Sequence, residues 1–186
     1  MGNRGMLPDE SQHVVRQWKR KPWVTCLLSF NGIKRVPFSP NAYSELFFLD
    51  EATAMAAGHR PCATCQRDRY ALFKDLWCRA NPSSSGQKFM PIATIDDAIH
   101  MDRVDRRGAK VTSDARLSEL PTGTIFQHGD RPYLLHAGQC FPWSFEGYGP
   151  HLDIAGDTRV RVLTPSSFVR MFDAGFVPSI HHSAGP

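Results

Sequence analysis

The sequence has no long apolar run. Its most apolar segments, residues 24–30 and 45–49, are interrupted or bounded by polar side chains. A helix that crosses a bilayer needs about 20 apolar residues, so we expect no transmembrane segment and no membrane partner. The first ten residues also lack the continuous apolar stretch of a secretory signal. We therefore expect a cytoplasmic protein whose cysteines are reduced.

Several catalytic signatures are missing as well. There is no Gly-rich phosphate loop, no G-x-S-x-G and no H-E-x-x-H. Zinc deaminases combine H-x-E or C-x-E with a later P-C-x-x-C. Pro61, Cys62 and Cys65 fit the second half of that pattern, but neither first half occurs upstream. Deamination would therefore lack its general acid and base, and the sequence favours a non-enzymatic protein.

What is present is enough apolar material for a core, 41% of 186 residues. The pattern predicts strands and two helices, then a short helix, several short strands and a last helix. We expect an α+β fold, with a small N-terminal lobe packed against a mostly antiparallel β lobe that a C-terminal helix closes. The predicted strands are 23–30, 33–38, 43–49, 124–127, 133–136, 140–143 and 159–163, and the predicted helices are 50–57, 68–79, 95–103 and 164–174.

A segment without apolar residues, 81–87, separates the two halves. It contains Asn, Pro, Gly and three consecutive Ser, all of which favour turns and irregular structure. The sequence therefore predicts an N-terminal lobe at 1–80, a linker at 81–94 and a β-rich lobe at 95–186.

The strongest chemical signal is the pair Cys62 and Cys65, spaced C-x-x-C. Two intervening residues allow both thiolates to reach one ion with tetrahedral preference, above all zinc. Buried inert thiols and a redox dithiol are the alternatives. A redox pair is expected between a strand and a helix of a βαβ unit, whereas a predicted helix and a turn precede this pair.

Residues 44–68 resemble the second half of the Ada-type metal-binding domain. The shared features are a strand, an acidic and Ala-rich helix that ends in Ala-Gly, and then His59 followed by Arg60-Pro61-Cys62-x-x-Cys65. The resemblance implies zinc held by four cysteines. In bacterial DNA-repair members of that family, a cysteine of the first pair accepts a methyl group from a DNA phosphotriester.

The first cysteine pair of that family is missing here. It would fall at residues 33–38, which contain no Cys, so we expect no methyl transfer. Cys78 lies roughly 19 Å along a continuous helix from Cys65, too far to share an ion. Cys26 could come close from a neighbouring strand. We therefore expect zinc ligands among Cys26, His59, Cys62 and Cys65.

Positive charge is concentrated near the start of the chain. Residues 1–36 hold seven basic side chains and two acidic ones, a net charge of +5, whereas the whole chain carries +4. A solvated face is one interpretation, and an anionic partner, first of all nucleic acid, is the other. Trp18 and Trp23 flank the basic run and could stack on bases. The candidate nucleic-acid-binding residues are Arg16, Lys19, Arg20, Lys21, Lys34 and Arg35.

The first functional hypothesis is thus a non-enzymatic, zinc-stabilised protein that associates with nucleic acid. A second hypothesis is an enzyme with a pocket between the lobes, lined by His136, Trp143, Tyr148 and residues around Cys62. A third is an interaction protein whose cysteine pair holds no metal. Metal content separates the third hypothesis from the others, and salt-dependent binding to nucleic acid separates the first from the second.

Overall fold

The computed structural model describes residues 1–32, 37, 39, 42–83 and 89–185. These residues form four α-helices and two mostly antiparallel sheets. The predicted α+β class with a C-terminal helix is confirmed. Within the described ranges, no helix combines the length and the apolar character needed to cross a membrane.

The N-terminal half of the chain contains a small sheet of four two-residue strands. Its order is β3-β1-β2-β4, with β1 antiparallel to both neighbours and β4 parallel to β2. The predicted strands 23–30 and 43–49 are thus much shorter in the structure, and residues 33–38 lie, apart from Pro37, outside the described part. The strands are β1 (Gly2–Asn3), β2 (Val24–Thr25), β3 (Glu45–Leu46) and β4 (Arg60–Pro61).

The four helices agree with the predicted ones to within three residues at each end. The first begins with a capping box: the Asp50 carboxylate accepts from the Thr53 backbone N–H at 2.8 Å, and the Asp50 N–H donates to Thr53 Oγ1 at 3.2 Å. The last helix ends at Asp173, and Gly175 follows shortly after it, where glycine commonly terminates helices. The helices are α1 (Glu51–Ala56), α2 (Arg67–Ala80), α3 (Ile92–Arg103) and α4 (Ser166–Asp173).

The second sheet is fully antiparallel, in the order β5-β9-β6-β7-β8. Four of its strands match predicted ones. The fifth, β5, is an edge strand with the polar sequence Ser-Asp-Ala-Arg, which carries no apolar alternation. The strands are β5 (Ser113–Arg116), β6 (Ile125–His128), β7 (Arg131–His136), β8 (Gln139–Pro142) and β9 (Arg159–Val162).

Buried side chains from both halves of the chain pack together. Phe73 and Trp77 of α2 share one core with Phe168 of α4. Ala52 and Ala56 of α1 pack on one face of the large sheet. The boundaries 1–80, 81–94 and 95–186 stay a prediction, because packing between segments does not establish whether each folds alone.

Candidate metal centre

Three cysteine sulfur atoms meet beside the small sheet. The Sγ atoms of Cys26, Cys62 and Cys65 all lie within 4.8 Å of one another. Cys26 follows β2 and Cys62 follows β4, and the parallel pairing of those strands sets Thr25 opposite Pro61. The Cys62 N–H then donates to the Thr25 carbonyl at 2.9 Å. Strand pairing therefore brings together two cysteines that are far apart in the sequence.

The turn between β4 and α2 positions the third cysteine, Cys65. The Gln66 N–H closes this turn on the Cys62 carbonyl at 3.1 Å. The Gln66 side chain also donates from Nε2 to the Thr25 carbonyl at 2.8 Å, which fixes the turn against β2. Sequence reasoning did not single out Gln66, because its partner is 41 positions away and no local pattern reports that contact.

Backbone N–H groups point at two of the sulfur atoms. The Thr64 N–H donates to Cys62 Sγ at 3.4 Å, and the Leu27 N–H donates to Cys65 Sγ at the same distance. Donors of this kind favour a sulfur that carries negative charge. The backbone around the three cysteines is thus suited to thiolates.

The pKa values of Cys26 and Cys62 are shifted in opposite directions. Burial by itself raises the pKa of Cys62, but hydrogen bonds from the backbone N–H groups of Cys65 and Thr64, together with those to the Cys26 and Cys65 side chains, lower it below its usual value. Burial, followed by the neighbouring Cys62 and Cys65, raises the pKa of Cys26 to about 12. Binding of a metal ion by Cys26 as a thiolate would therefore release a proton.

The donor set fits zinc. Thiolates 2.3 Å from a tetrahedral zinc ion lie about 3.8 Å from one another, within the separation that these three sulfur atoms allow. In the described part of the chain, no fourth Cys, His, Asp or Glu belongs to the group. The remaining residues of the sequence include none of these four types. This group of side chains therefore supplies three ligands.

His59 lies apart from the three sulfur atoms. It is completely buried, and its Nε2 accepts from Arg4 Nε at 3.3 Å. Burial, together with the positive charges of Arg4 and Arg103, holds the pKa of His59 well below its ordinary value. The structure thus places His59 as a neutral packing residue beside Phe48, with ring centroids 4.7 Å apart.

Of the predicted nucleic-acid-binding residues, Arg16, Lys19 and Arg20 are exposed. Lys21 is exposed too, but its Nζ lies 2.7 Å from Asp97 Oδ1. Lys34 and Arg35 lie outside the described residues.

Trp23, by contrast, is only 3% exposed, and the guanidinium carbons of Arg4 and Arg103 lie 3.8 and 3.7 Å from its ring centroid. Trp23 therefore cannot stack on a base.

The residues of the predicted pocket do not meet the cysteines. Trp143 lines an apolar pocket of about 460 Å³ together with Phe47 and Phe145. Tyr148 is buried and donates from its hydroxyl to Asp50 Oδ2 at 2.8 Å. His136 packs near Phe141. A different cavity, of about 330 Å³, opens beside Cys26.

Comparisons of the chain with protein-family models, with curated proteins and with solved structures find no match. The resemblance of residues 44–68 to the Ada-type domain stays a prediction that rests on those residues alone.

Proposed function

We propose that Cys26, Cys62 and Cys65 bind one zinc ion, and that this zinc-stabilised protein associates with nucleic acid without catalysing a reaction. The observation that carries the proposal is the convergence of three sulfur atoms, from two strand ends and a turn, within 4.8 Å. Three half-buried thiols so close together are a donor set that soft, tetrahedral ions prefer.

Zinc at this position would act chiefly on stability. The ion would connect the end of β2, the end of β4 and the turn that leads into α2. Strands of two residues form few hydrogen bonds, and isolated short pairings are marginal in water. A metal bond that ties them together contributes its binding energy to folding.

Metal content tests this half of the proposal. The protein is purified without an affinity tag, and its zinc is measured by inductively coupled plasma mass spectrometry. We expect one zinc ion per wild-type chain and none in the double variant C62S/C65S. Cys78→Ala is the matched control, because Cys78 is buried in the helical core and should leave the zinc in place.

Two outcomes would contradict the proposal. One is a wild-type protein free of metal, and the other is a double variant that keeps its zinc. The first of these outcomes supports a metal-free interaction protein instead.

The nucleic-acid half of the proposal is supported by charge. Arg16, Lys19 and Arg20 are exposed within a segment whose net charge is +5. Contacts to phosphate release counterions, so binding should weaken steeply as salt rises. Fluorescence anisotropy of a labelled oligonucleotide at several salt concentrations measures this dependence. Binding that is absent at low salt contradicts this half and leaves the zinc proposal untouched.

A further inference from the structure

A groove of about 440 Å³ on the surface brings together arginines from two distant parts of the chain. One wall is residues 16–18 and the other is residues 106–108, just beyond the end of α3. Arg16 thereby faces Arg106 and Arg107 across one groove, although 90 positions separate Arg16 from Arg106. Sequence reasoning treated only the N-terminal wall as a candidate binding surface.

We propose that this groove binds the sugar-phosphate backbone of single-stranded nucleic acid. The inference rests on the proposed function and names the surface that performs it. Arg16, Arg106 and Arg107 would contact phosphates, because planar guanidinium groups donate paired hydrogen bonds to phosphate oxygens. Trp18, which also lines the groove, would contact a base.

The lining of the groove carries a net positive charge. Its lining contains no carboxylate. Among the residues that the structure describes, none forms an ion pair with Arg16, Arg106 or Arg107. Lys21, in the neighbouring basic run, is by contrast paired with Asp97. Lys21 is therefore less available to an external anion than the arginines of the groove.

A tight turn holds the two neighbouring arginines in place. Asp105 Oδ1 accepts from the N–H groups of Arg107 and Ala109, both at 2.8 Å. The Asp105 N–H donates to the Ala109 carbonyl at 2.9 Å, and Gly108 has a φ of +83°, which favours glycine. The Asp105 carboxylate is thus hydrogen-bonded within the turn and offsets only part of the positive charge, and the turn fixes the backbone beneath the arginines.

Trp18 supplies the preference for single strands. It is half-buried, and its ring is held by His100 at 5.3 Å and Trp23 at 5.9 Å between centroids. An aromatic ring beside cations is the usual arrangement for unpaired bases, which can stack on it, whereas the bases of a duplex are already stacked. The groove therefore suits a flexible single strand better than a duplex.

The test compares two pairs of exposed arginines. A fluorescein-labelled oligothymidylate is titrated at several salt concentrations with wild type, R106A/R107A and the control R159A/R161A, which removes the same charge from β9. We expect R106A/R107A to bind roughly tenfold more weakly at low salt, and the salt slope to fall by about 0.7 for each lost phosphate contact. The control should bind nearly as wild type does.

Other results would overturn the inference and identify what fails. If R106A/R107A binds as the control does while K19A/R20A/K21A loses binding, the groove is wrong and the proposed function stands. If wild type does not bind the oligonucleotide at low salt, both the groove and the nucleic-acid half of the proposed function fail.

Two further binding measurements distinguish a nucleic-acid backbone from other sources of phosphate. Millimolar inorganic phosphate should not displace the oligonucleotide, and phosphatidylserine vesicles should not bind more tightly than it does. Displacement by phosphate, or tighter binding of the vesicles, contradicts the inference. Unchanged thermal melting of R106A/R107A will show that the variant is folded, since both side chains are exposed.

Discussion

Arg60 and Asp96 form a buried, bidentate ion pair. Arg60 Nε lies 2.7 Å from Asp96 Oδ1 and Nη2 lies 2.8 Å from Oδ2, and the two side chains are 8% and 5% exposed. Arg60 belongs to β4, two positions before Cys62, whereas Asp96 lies on α3. The pair therefore ties the strand that carries the cysteine motif to a helix from the second half of the chain.

Loss of the Asp96 charge should be costly. Asp96→Asn leaves a buried guanidinium without its counter-charge, so we expect the free energy of unfolding to fall by about 3–5 kcal/mol. Urea unfolding measures the change. The neighbouring Asp97→Asn is the matched control, because its pair with Lys21 is exposed and should contribute less than about 1 kcal/mol. Equal effects of the two variants would contradict the structural role given to Arg60 and Asp96.

Removal of metal should destabilise the wild type and leave a cysteine variant unaffected. We expect Cys62→Ser to lower the free energy of unfolding by several kcal/mol, because binding energy at a structural zinc site is folding energy. A chelator should lower the melting temperature of wild type to that of the variant, and should not change the variant further. A wild-type melt that neither the mutation nor the chelator alters would refute the zinc proposal.

The protein should not accept methyl groups from methylated DNA phosphate. The acceptor in Ada-type repair proteins belongs to the first cysteine pair, and residues 33–38 contain no cysteine. Intact-protein mass spectrometry after incubation with DNA that carries methyl phosphotriesters checks this. A stoichiometric gain of one methyl group on Cys26, Cys62 or Cys65 would show that the departure from the family pattern does not abolish the chemistry.

The helices were predictable because their signals are local. Asp50 and Thr53 form the capping box at the start of α1, and Gly58 follows its end with a φ of +81°. In the small sheet, β2 and β3 fall inside predicted strands that were drawn too long, and β1 and β4 were not predicted, because two residues are too few to show a period. The sequence therefore predicted the helix before the cysteine pair. It did not predict β4, the strand whose pairing with β2 brings Cys62 close to Cys26.

The candidate site could be predicted only in part for a related reason. Cys26 was named because a neighbouring strand could bring it close, and the parallel pairing of β2 with β4 does so. His59 was named because it stands near Cys62 in the sequence. The chain direction after Gly58 instead places it among Arg4, Phe48 and Trp23. Likewise, nothing local to Arg106 indicates that Arg16 lies across the groove.

Gly58 should be hard to replace, for two separable reasons. Its φ of +81° strains any residue with a Cβ, and a Cβ there would overlap the side chain of Arg103, which donates to the Gly58 carbonyl at 2.7 Å. Gly138 has a φ of +78°, but a Cβ on it would point into open space, so it shares only the first reason. We expect Gly138→Ala to lower the free energy of unfolding by about 1 kcal/mol from backbone strain.

Gly58→Ala should cost about 1–3 kcal/mol more than Gly138→Ala, because buried Arg103 must also shift. Chemical denaturation of the two variants measures the difference directly. If the variants lose equal stability, backbone strain alone explains Gly58, and its contact with Arg103 contributes nothing. A larger loss for Gly58→Ala that disappears when Arg103 is also replaced by Ala would assign the excess to that contact, and would explain why glycine stands between α1 and the cysteine motif.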